Sequence, residues 1–126
     1  FTLCNQNPFN TQNSLVQAKF DDITRDIRYS DSHLYSLLAL EAIKTYVSSQ
    51  PDNMKKFYGI QLKDMLISCR FGNKECDIEN DFEWFYSYDY GNCYKFNPKG
   101  EKYIGKSKRI LILLTSNGVS ILLIQL

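Results

Sequence analysis

The stretch from Leu62 to Asn97 limits the possible folds more than any other part of the chain, because it contains three of the four cysteines and the only tryptophan. Aromatic residues alternate within it with mainly polar ones, and Phe85 is the one exception. A period of two indicates a strand with one aromatic and one polar face, which predicts a sheet packed on one side only. The alternating aromatic residues are Phe82, Trp84, Tyr86, Tyr88 and Tyr90.

The residues on either side of this strand predict a short helix and a hairpin. Leu62, Met65, Leu66 and Cys69 have the spacing i, i+3, i+4, i+7, which favours a helix over these positions. The pair Gly91-Asn92 is typical of a tight turn. A second short strand is therefore predicted from Cys93 to Phe96.

Helices are predicted in the first half of the chain, after a short strand at Phe1–Cys4. The clearest is a long helix over residues 30–47, whose few polar positions predict burial on more than one side. Pro51 suits the first turn of a second helix that ends near Gly59. The mixed segment Leu15–Ile27 fits either a short helix or an irregular crossing.

Two apolar segments near the end of the chain predict another pair of strands. Ile110–Leu114 and Val119–Leu126 are separated by four residues that include Asn117-Gly118. An Asn-Gly pair between apolar segments is typical of a β-hairpin. The continuous apolar character predicts strands buried on both faces.

An even number of cysteines suits two disulfides in an oxidising compartment, although four cysteines allow three pairings. The loop between Cys69 and Cys76 can bend back at Gly72-Asn73, which favours a local bridge and leaves Cys4 with Cys93. Four reduced cysteines in a cytosolic protein is the alternative. A zinc site is disfavoured, because no C-x-x-C pair occurs and the only histidine is distant in sequence.

Other kinds of functional site find little support. The formal net charge of +1 gives no reason to expect a nucleic-acid partner, and the short basic segment 99–109 reads as a solvated loop. Asp77, Glu79 and Asp81 have the first spacings of a calcium loop but lack its glycine and its final acid. No catalytic set or cofactor fingerprint is present, so neither an enzyme nor a cofactor or metal site is predicted.

Arg25 and Arg28 match the minimal R-x-x-R pattern cut by furin-type proteases. A solvated charged surface is the simpler interpretation of these residues. Cleavage at Arg25–Arg28 becomes relevant only if the chain is secreted or lies on the cell surface.

The order of several motifs resembles the extracellular domain of the epithelial sodium channel, degenerin and acid-sensing channel family. The resemblance begins with Phe1–Phe9, which is similar to the first extracellular strand. It continues through Asp64–Phe71 and Cys76, then through Tyr90–Asn97, and ends at Gly118–Leu123. The segment Leu15–Gly59 is similar in helical character only.

The resemblance implies an α+β fold of palm strands and finger helices, with disulfides Cys4–Cys93 and Cys69–Cys76. It divides the chain into a first palm strand (1–9), finger helices with a cysteine loop (15–81), and strands returning to the palm (82–126). Pro8 stands where acid-sensing members carry an acidic residue, which favours an epithelial or degenerin-like member over a proton-gated one. Both ends of the chain look cut, so a fragment of a larger protein is expected.

The function implied is that of the extracellular gating region of a trimeric, amiloride-sensitive sodium channel subunit gated by ligand, protease or force. Its partners would be homologous subunits, sodium ions in the whole channel and an extracellular ligand. Its location would be the outer side of the cell membrane, with two membrane helices outside these residues. A secreted, disulfide-stapled binding module with no channel attached is the alternative.

Overall fold

The computed structural model describes residues 2–27, 32–71, 74–97, 110–114 and 121–124. Helices and antiparallel strands occupy separate parts of this structure, which confirms the α+β prediction. The helices are α1 (Ser14–Ile23), α2 (Ser32–Ser48), α3 (Asp52–Tyr58) and α4 (Leu62–Met65), with a 3₁₀ turn at Arg25–Ile27. The strands are β1 (Thr2–Asn5), β2 (Leu66–Phe71), β3 (Lys74–Glu75), β4 (Phe82–Ser87), β5 (Gly91–Phe96), β6 (Ile110–Leu114) and β7 (Ile121–Ile124).

The strands form two sheets. The larger has the order β4-β5-β1-β7, so the first strand of the chain lies between two strands from its second half. Its register places Cys4 directly opposite Cys93. The smaller sheet has the order β3-β2-β6.

The helix predicted from Leu62 to Cys69 is wrong in its second half, because α4 ends at Met65 and β2 begins at Leu66. Pairing with β6 draws Leu66–Phe71 into an antiparallel ladder. The four apolar residues on which the helix prediction rested are nevertheless all buried in one cluster. A helical turn followed by a strand places them on the same side, so the apolar pattern alone could not separate the two structures.

The turn between β4 and β5 lies earlier than predicted. It consists of Tyr88–Tyr90, and Gly91-Asn92 already belongs to β5. The Ser87 hydroxyl accepts a hydrogen bond from the backbone N–H of Tyr90 at 3.2 Å, which closes the turn before the glycine. Gly91 has φ +69°, a left-handed conformation that glycine adopts without strain.

The aromatic alternation of β4 is confirmed, because Phe82, Trp84 and Tyr86 are buried or partly buried while Glu83 and Phe85 are exposed. Tyr88 and Tyr90 lie in the turn. β1 and most of β5 bury both faces instead of one. The prediction of a sheet packed on one side is therefore confirmed for β4, which lies at the edge of the sheet, and is wrong for β1 and β5.

The predicted hairpin near the end of the chain is wrong, although both strands exist. β6 pairs with β2 and β7 pairs with β1, so the two strands lie in different sheets. Each strand pairs with a partner that is distant in sequence, which local turn chemistry cannot reveal. The predicted turn at Asn117-Gly118 and the side chains of both strands lie outside the described residues.

The long helix α2 is confirmed in extent, but its burial on more than one side is wrong. Leu37, Leu38 and Leu40 are 57%, 44% and 41% exposed. Ala39 and Val47 are the residues of α2 that the described part of the chain buries. The segment Leu15–Ile27, predicted as either a short helix or an irregular crossing, forms most of α1 and the 3₁₀ turn that follows it. Asn13 caps α1, because its side chain accepts the N–H of Leu15 at 2.9 Å.

Two separate clusters form the apolar core. One lies between the sheets and α4, and the other joins α1, α2 and α3 to Phe9. No helix in the described ranges is both long and apolar enough to cross a membrane. The first cluster contains Leu3, Leu62, Met65, Leu66, Cys69, Phe82, Tyr94 and Phe96, and the second contains Phe9, Val16, Phe20, Val47 and Tyr58.

Candidate functional site

The end of α3 is connected to the larger sheet at a place that we call the helix–sheet junction. It consists of the segment Lys56–Ile60 together with Trp84, Asn92 and Tyr94. The segment is the end of α3 and its continuation, and the three side chains belong to the β4–β5 hairpin. A movement of α3 relative to the sheet must therefore disturb these residues.

Asn92 is the centre of the junction and is only 1% exposed. Its side-chain amide donates hydrogen bonds to the carbonyl oxygens of Lys56 at 3.0 Å and Ile60 at 3.2 Å. Its side-chain oxygen accepts the indole N–H of Trp84 at 2.9 Å. Gly59 lies so close that an added Cβ would be 2.5 Å from the Asn92 amide nitrogen. A buried amide with these partners fixes the position of a backbone segment, since breaking the bonds leaves polar groups unsatisfied.

Tyr94 adds a second polar connection from β5 to the same backbone segment. Its hydroxyl donates a hydrogen bond to the carbonyl oxygen of Ile60 at 3.0 Å. Burial raises the pKa of Tyr94 to about 12, because the phenolate would lose its hydration. The neutral, hydrogen-bonded form is therefore the one that the fold stabilises.

Lysine side chains from the helices cover the aromatic residues of the hairpin. Lys56 lies 4.6 Å from the ring centroid of Trp84, and Lys55 lies 5.0 Å from that of Tyr86. Cation–π contacts at partly exposed sites contribute about 0.5–1 kcal/mol each. These contacts orient the two lysine side chains over the hairpin and contribute little to the stability of the fold.

A second contact joins α2 to the β4–β5 turn, and we call it the α2–turn contact. The Tyr88 hydroxyl donates a hydrogen bond to the Glu41 carboxylate at 2.9 Å. Lys44, whose side chain is only 12% exposed, lies 3.6 Å from the Asp89 carboxylate and 5.7 Å from the Tyr88 ring centroid. The tip of the hairpin therefore follows the position of α2.

Two disulfides hold the strands of both sheets. Cys4 and Cys93 are bonded across β1 and β5 with a Cα–Cα distance of 4.5 Å, typical of directly opposed residues in an antiparallel pair without mutual hydrogen bonds. Cys69 and Cys76 are bonded across the β2–β3 hairpin, where the Cys76 N–H also donates to the Cys69 carbonyl oxygen at 3.0 Å. These are the pairs that the family resemblance implies.

Comparison with known protein families identifies the chain. A sequence model described as "Amiloride-sensitive sodium channel" matches residues 1–126. The chain belongs to this family. The resemblance inferred from the cysteine motifs is thereby confirmed.

Individual relatives come from three branches of the amiloride-sensitive sodium channel family. Acid-sensing ion channel 2 of Danio rerio is 31% identical, and the match covers 97% of this chain and 25% of the relative. Epithelial sodium channel subunit beta of Neoceratodus forsteri is 37% identical over 47% of this chain and 10% of its own length. Degenerin-like protein unc-105 of Caenorhabditis elegans is 28% identical over 62% and 8%. The chain thus spans about a quarter or less of these relatives, which are named as channels or degenerins and not as enzymes.

The acidic residues that resemble a calcium loop are used within their own turn. The Asp81 carboxylate accepts the N–H of Asp77 at 2.7 Å, and the Asp77 carboxylate accepts the N–H of Glu79 at 3.0 Å. Hydrogen bonds from the side chain of Asn80 and from backbone groups hold the pKa of Asp77 below its usual value. Within the described ranges, no group of three or more potential ligands is arranged to hold a metal ion.

The structure describes one of the two arginines of the R-x-x-R motif. Arg25 is exposed in the 3₁₀ turn, where it forms an ion pair with Asp22 at 2.9 Å. Arg28 lies outside the described residues. Cleavage at this motif stays a prediction.

Sequence reasoning located the cysteines but not Asn92, because a Gly-Asn pair is typical of a turn. A usable signal was present. Asn92, Tyr94 and Phe96 share the period-two face of β5 that packs inward, so Asn92 is a polar residue at a core position. A polar side chain at such a position needs internal partners.

Because ionisation of Tyr94 is disfavoured in the folded state, we expect stability to fall at alkaline pH. The pKa of Tyr94 is about 12 in the fold and about 10 in the unfolded chain, so its contribution is complete below pH 10 and decreases between pH 10 and 12. A shift of this size corresponds to roughly 2–3 kcal/mol. Urea unfolding of the oxidised protein at pH 9 and near pH 12 measures the loss.

The matched control for this prediction is Tyr94→Phe, which removes the ionising group and keeps the ring. This variant should be less stable at pH 9 but lose less stability on the way to pH 12. Equal alkaline losses in the wild type and Tyr94→Phe would assign the effect to other groups.

Proposed function

We propose that this chain forms part of the extracellular gating region of a sodium channel subunit. In this proposal the helices receive the stimulus, and the larger sheet passes their displacement toward the pore. Family membership supports the channel assignment. The hydrogen bonds from buried Asn92 to the carbonyl oxygens of Lys56 and Ile60 carry the coupling proposal, because they connect the end of α3 directly to the sheet.

The proposed division of the chain follows the family's palm and finger. Residues 1–9 would provide the first palm strand, 15–81 the finger helices with the cysteine loop, and 82–126 the strands that return to the palm. Strand β6 is an exception within the last segment, since it pairs with β2 in the smaller sheet. The returning palm strands would then be β4, β5 and β7.

The mechanism is displacement of a connected body with two points of contact. A shift of α2 would move the hairpin tip through Lys44 and Asp89, and a shift of α3 would move β5 through Asn92. The Cys4–Cys93 disulfide would carry either movement into β1. Such contiguous packed networks are the physical basis on which coupling between distant sites can rest.

The remaining features of the proposal follow from the family. Three homologous subunits would surround a sodium pore at the cell surface, with these residues on the outer side and two membrane helices elsewhere in the protein. Gating would occur by an extracellular ligand, by proteolysis or by force. The exposed position of Arg25 makes it accessible to a protease, which supports cleavage at Arg25–Arg28 as one route.

The test is expression of the complete coding sequence containing these residues in oocytes, with measurement of the amiloride-sensitive sodium current. Lys44→Glu replaces the attraction to Asp89 by repulsion, so we expect the current per surface channel to change at least about fivefold, as for a modest allosteric coupling. The double variant Lys44→Glu/Asp89→Lys should restore it. Lys74→Glu, an exposed charge reversal in the β2–β3 hairpin, serves as the control.

The results separate the proposal from its alternative. Absence of a sodium current, together with secretion of the chain into the medium, would favour a disulfide-stapled binding module. A normal current that is unaffected by Lys44→Glu would retain the channel assignment and contradict coupling through α2. Equal effects of Lys44→Glu and Lys74→Glu would assign the change to net charge.

A further inference from the structure

A groove of about 440 Å³ opens beside the helix–sheet junction, between α4 and the inward-facing side of β4 and β5. Its apolar surface is provided by Leu62 and Phe82, both buried in the core between the sheets, and by Ile78, which is 41% exposed. Trp84 and Tyr94 complete an aromatic wall. The volume lies within the range of small-molecule sites.

Most polar groups of the groove already have partners in the fold. The Trp84 indole N–H donates to Asn92, and the Tyr94 hydroxyl donates to Ile60. The Gln61 side-chain amide donates to the carbonyl oxygen of Lys56. These groups therefore shape the wall, and a ligand would need to bind elsewhere in the groove.

The lysines of the groove are the exception. Lys56 and Lys63 both line it and both are exposed, and in the described part of the chain neither ammonium group lies within 4.0 Å of a carboxylate. Glu79 is the one acidic residue in the lining, so the positive charges outnumber the negative one. Lys56 is held over the ring of Trp84, which places its charge beside the aromatic wall.

We propose that this groove binds a small aryl carboxylate. The carboxylate would pair with Lys56 and Lys63, and a flat apolar body would pack against Trp84, Phe82 and Ile78. Aromatic walls favour an aromatic body, since rings gain edge-to-face and offset contacts beyond their buried area. Charge-assisted hydrogen bonds to lysine favour an anion over a neutral or cationic analogue. The proposal concerns binding alone and holds whether or not the chain gates a channel.

The probe is 4-phenylbutyrate, added to the oxidised 126-residue chain. Trp84 is the only tryptophan, so its fluorescence reports on the groove directly. We expect a saturable change in Trp84 fluorescence and a Kd on the order of 1 mM or tighter, as the size of the ligand allows. The neutral 4-phenylbutanol, the cationic 4-phenylbutylamine and the alkyl hexanoate should each bind at least about tenfold more weakly, since each lacks one of the two features.

Substitutions of three lysines on α3 and α4 provide the decisive comparison. Lys56→Gln and Lys63→Gln should each weaken binding about tenfold, whereas Lys56→Arg should retain it. Lys55→Gln is the matched control, because Lys55 is next in the helix but lies over Tyr86 outside the groove. An unchanged urea midpoint for each variant shows that the fold is intact.

Several outcomes would overturn the proposal. Equal binding of 4-phenylbutyrate and 4-phenylbutanol would remove the role of charge. Equal weakening by Lys55→Gln and Lys56→Gln would place the site elsewhere. If Trp84 fluorescence shows no saturable change at tens of millimolar 4-phenylbutyrate, the groove does not bind an aryl carboxylate. None of these results bears on the sodium current that tests the proposed function.

Discussion

Replacing Cys4 and Cys93 together by alanine is expected to destabilise the protein by about 4–5 kcal/mol. The disulfide joins residues 89 positions apart, so breaking it returns the closure entropy of a long loop to the unfolded chain. This is a large part of the stability of an ordinary domain, and much of the protein should be unfolded at physiological temperature. Urea unfolding of the double variant, followed by circular dichroism, measures the effect.

The second disulfide provides the internal control. Cys69 and Cys76 are only seven positions apart, so replacing both by alanine should cost about 2–3 kcal/mol. The two double variants remove the same chemical groups and differ mainly in the length of the closed loop. A larger loss for the Cys69/Cys76 pair would contradict the explanation by loop length and indicate that packing of the local bridge dominates.

The second large effect is expected at Gly91, for which we predict that substitution by alanine costs about 2–5 kcal/mol. A non-glycine residue at φ +69° is strained by about 1–2 kcal/mol. An added Cβ would also meet the backbone carbonyl of Pro8, and a backbone atom cannot move aside as a flexible side chain can. Overpacking of this kind costs typically 1–3 kcal/mol. Chemical denaturation of the variant tests the sum.

Two further variants separate the causes at Gly91. Asparagine tolerates the left-handed conformation better than alanine but has the same Cβ, so Gly91→Asn isolates the contact with Pro8. Ser87→Ala removes the hydrogen bond to the Tyr90 N–H in the same turn and should cost about 1 kcal/mol. If Gly91→Ala were no more damaging than Ser87→Ala, the close approach of β5 to Pro8 would be relieved by the surrounding loop.

Local patterns predicted the elements that depend on local chemistry. The period of two in β4 was confirmed because one side of that edge strand faces the core. The end of α3 at Gly59 was confirmed because that glycine ends the helix in an extended conformation. Local patterns failed where strand pairing decides the structure. Leu66–Phe71 became a strand because β6 lies beside it, and the last two strands separated because each found a different partner.

In the candidate site, too, some features could be predicted from the sequence and others depend on contacts between distant segments. Cysteine positions are explicit in the sequence, and the family resemblance implied how they pair. The partners of Asn92 are backbone carbonyls 36 and 32 positions away, and backbone groups carry no sequence signature. The exposed leucines of α2 could not be predicted either, because an apolar helix surface is read as buried unless its neighbours are known.

The central position of β1 sets the order of events during biosynthesis. Both of its neighbours, β5 and β7, are translated long after it. In the extracellular location proposed above, Cys4 would therefore enter an oxidising compartment while Cys93 is still in the ribosome. Within these 126 residues, Cys69 and Cys76 emerge before Cys93, so Cys4 could form a wrong disulfide with either of them. Rapid closure of the small hairpin ring would remove both competitors before Cys93 arrives. In that location, oxidative maturation would proceed directly when the short bridge forms first, and would need a disulfide isomerase when it does not.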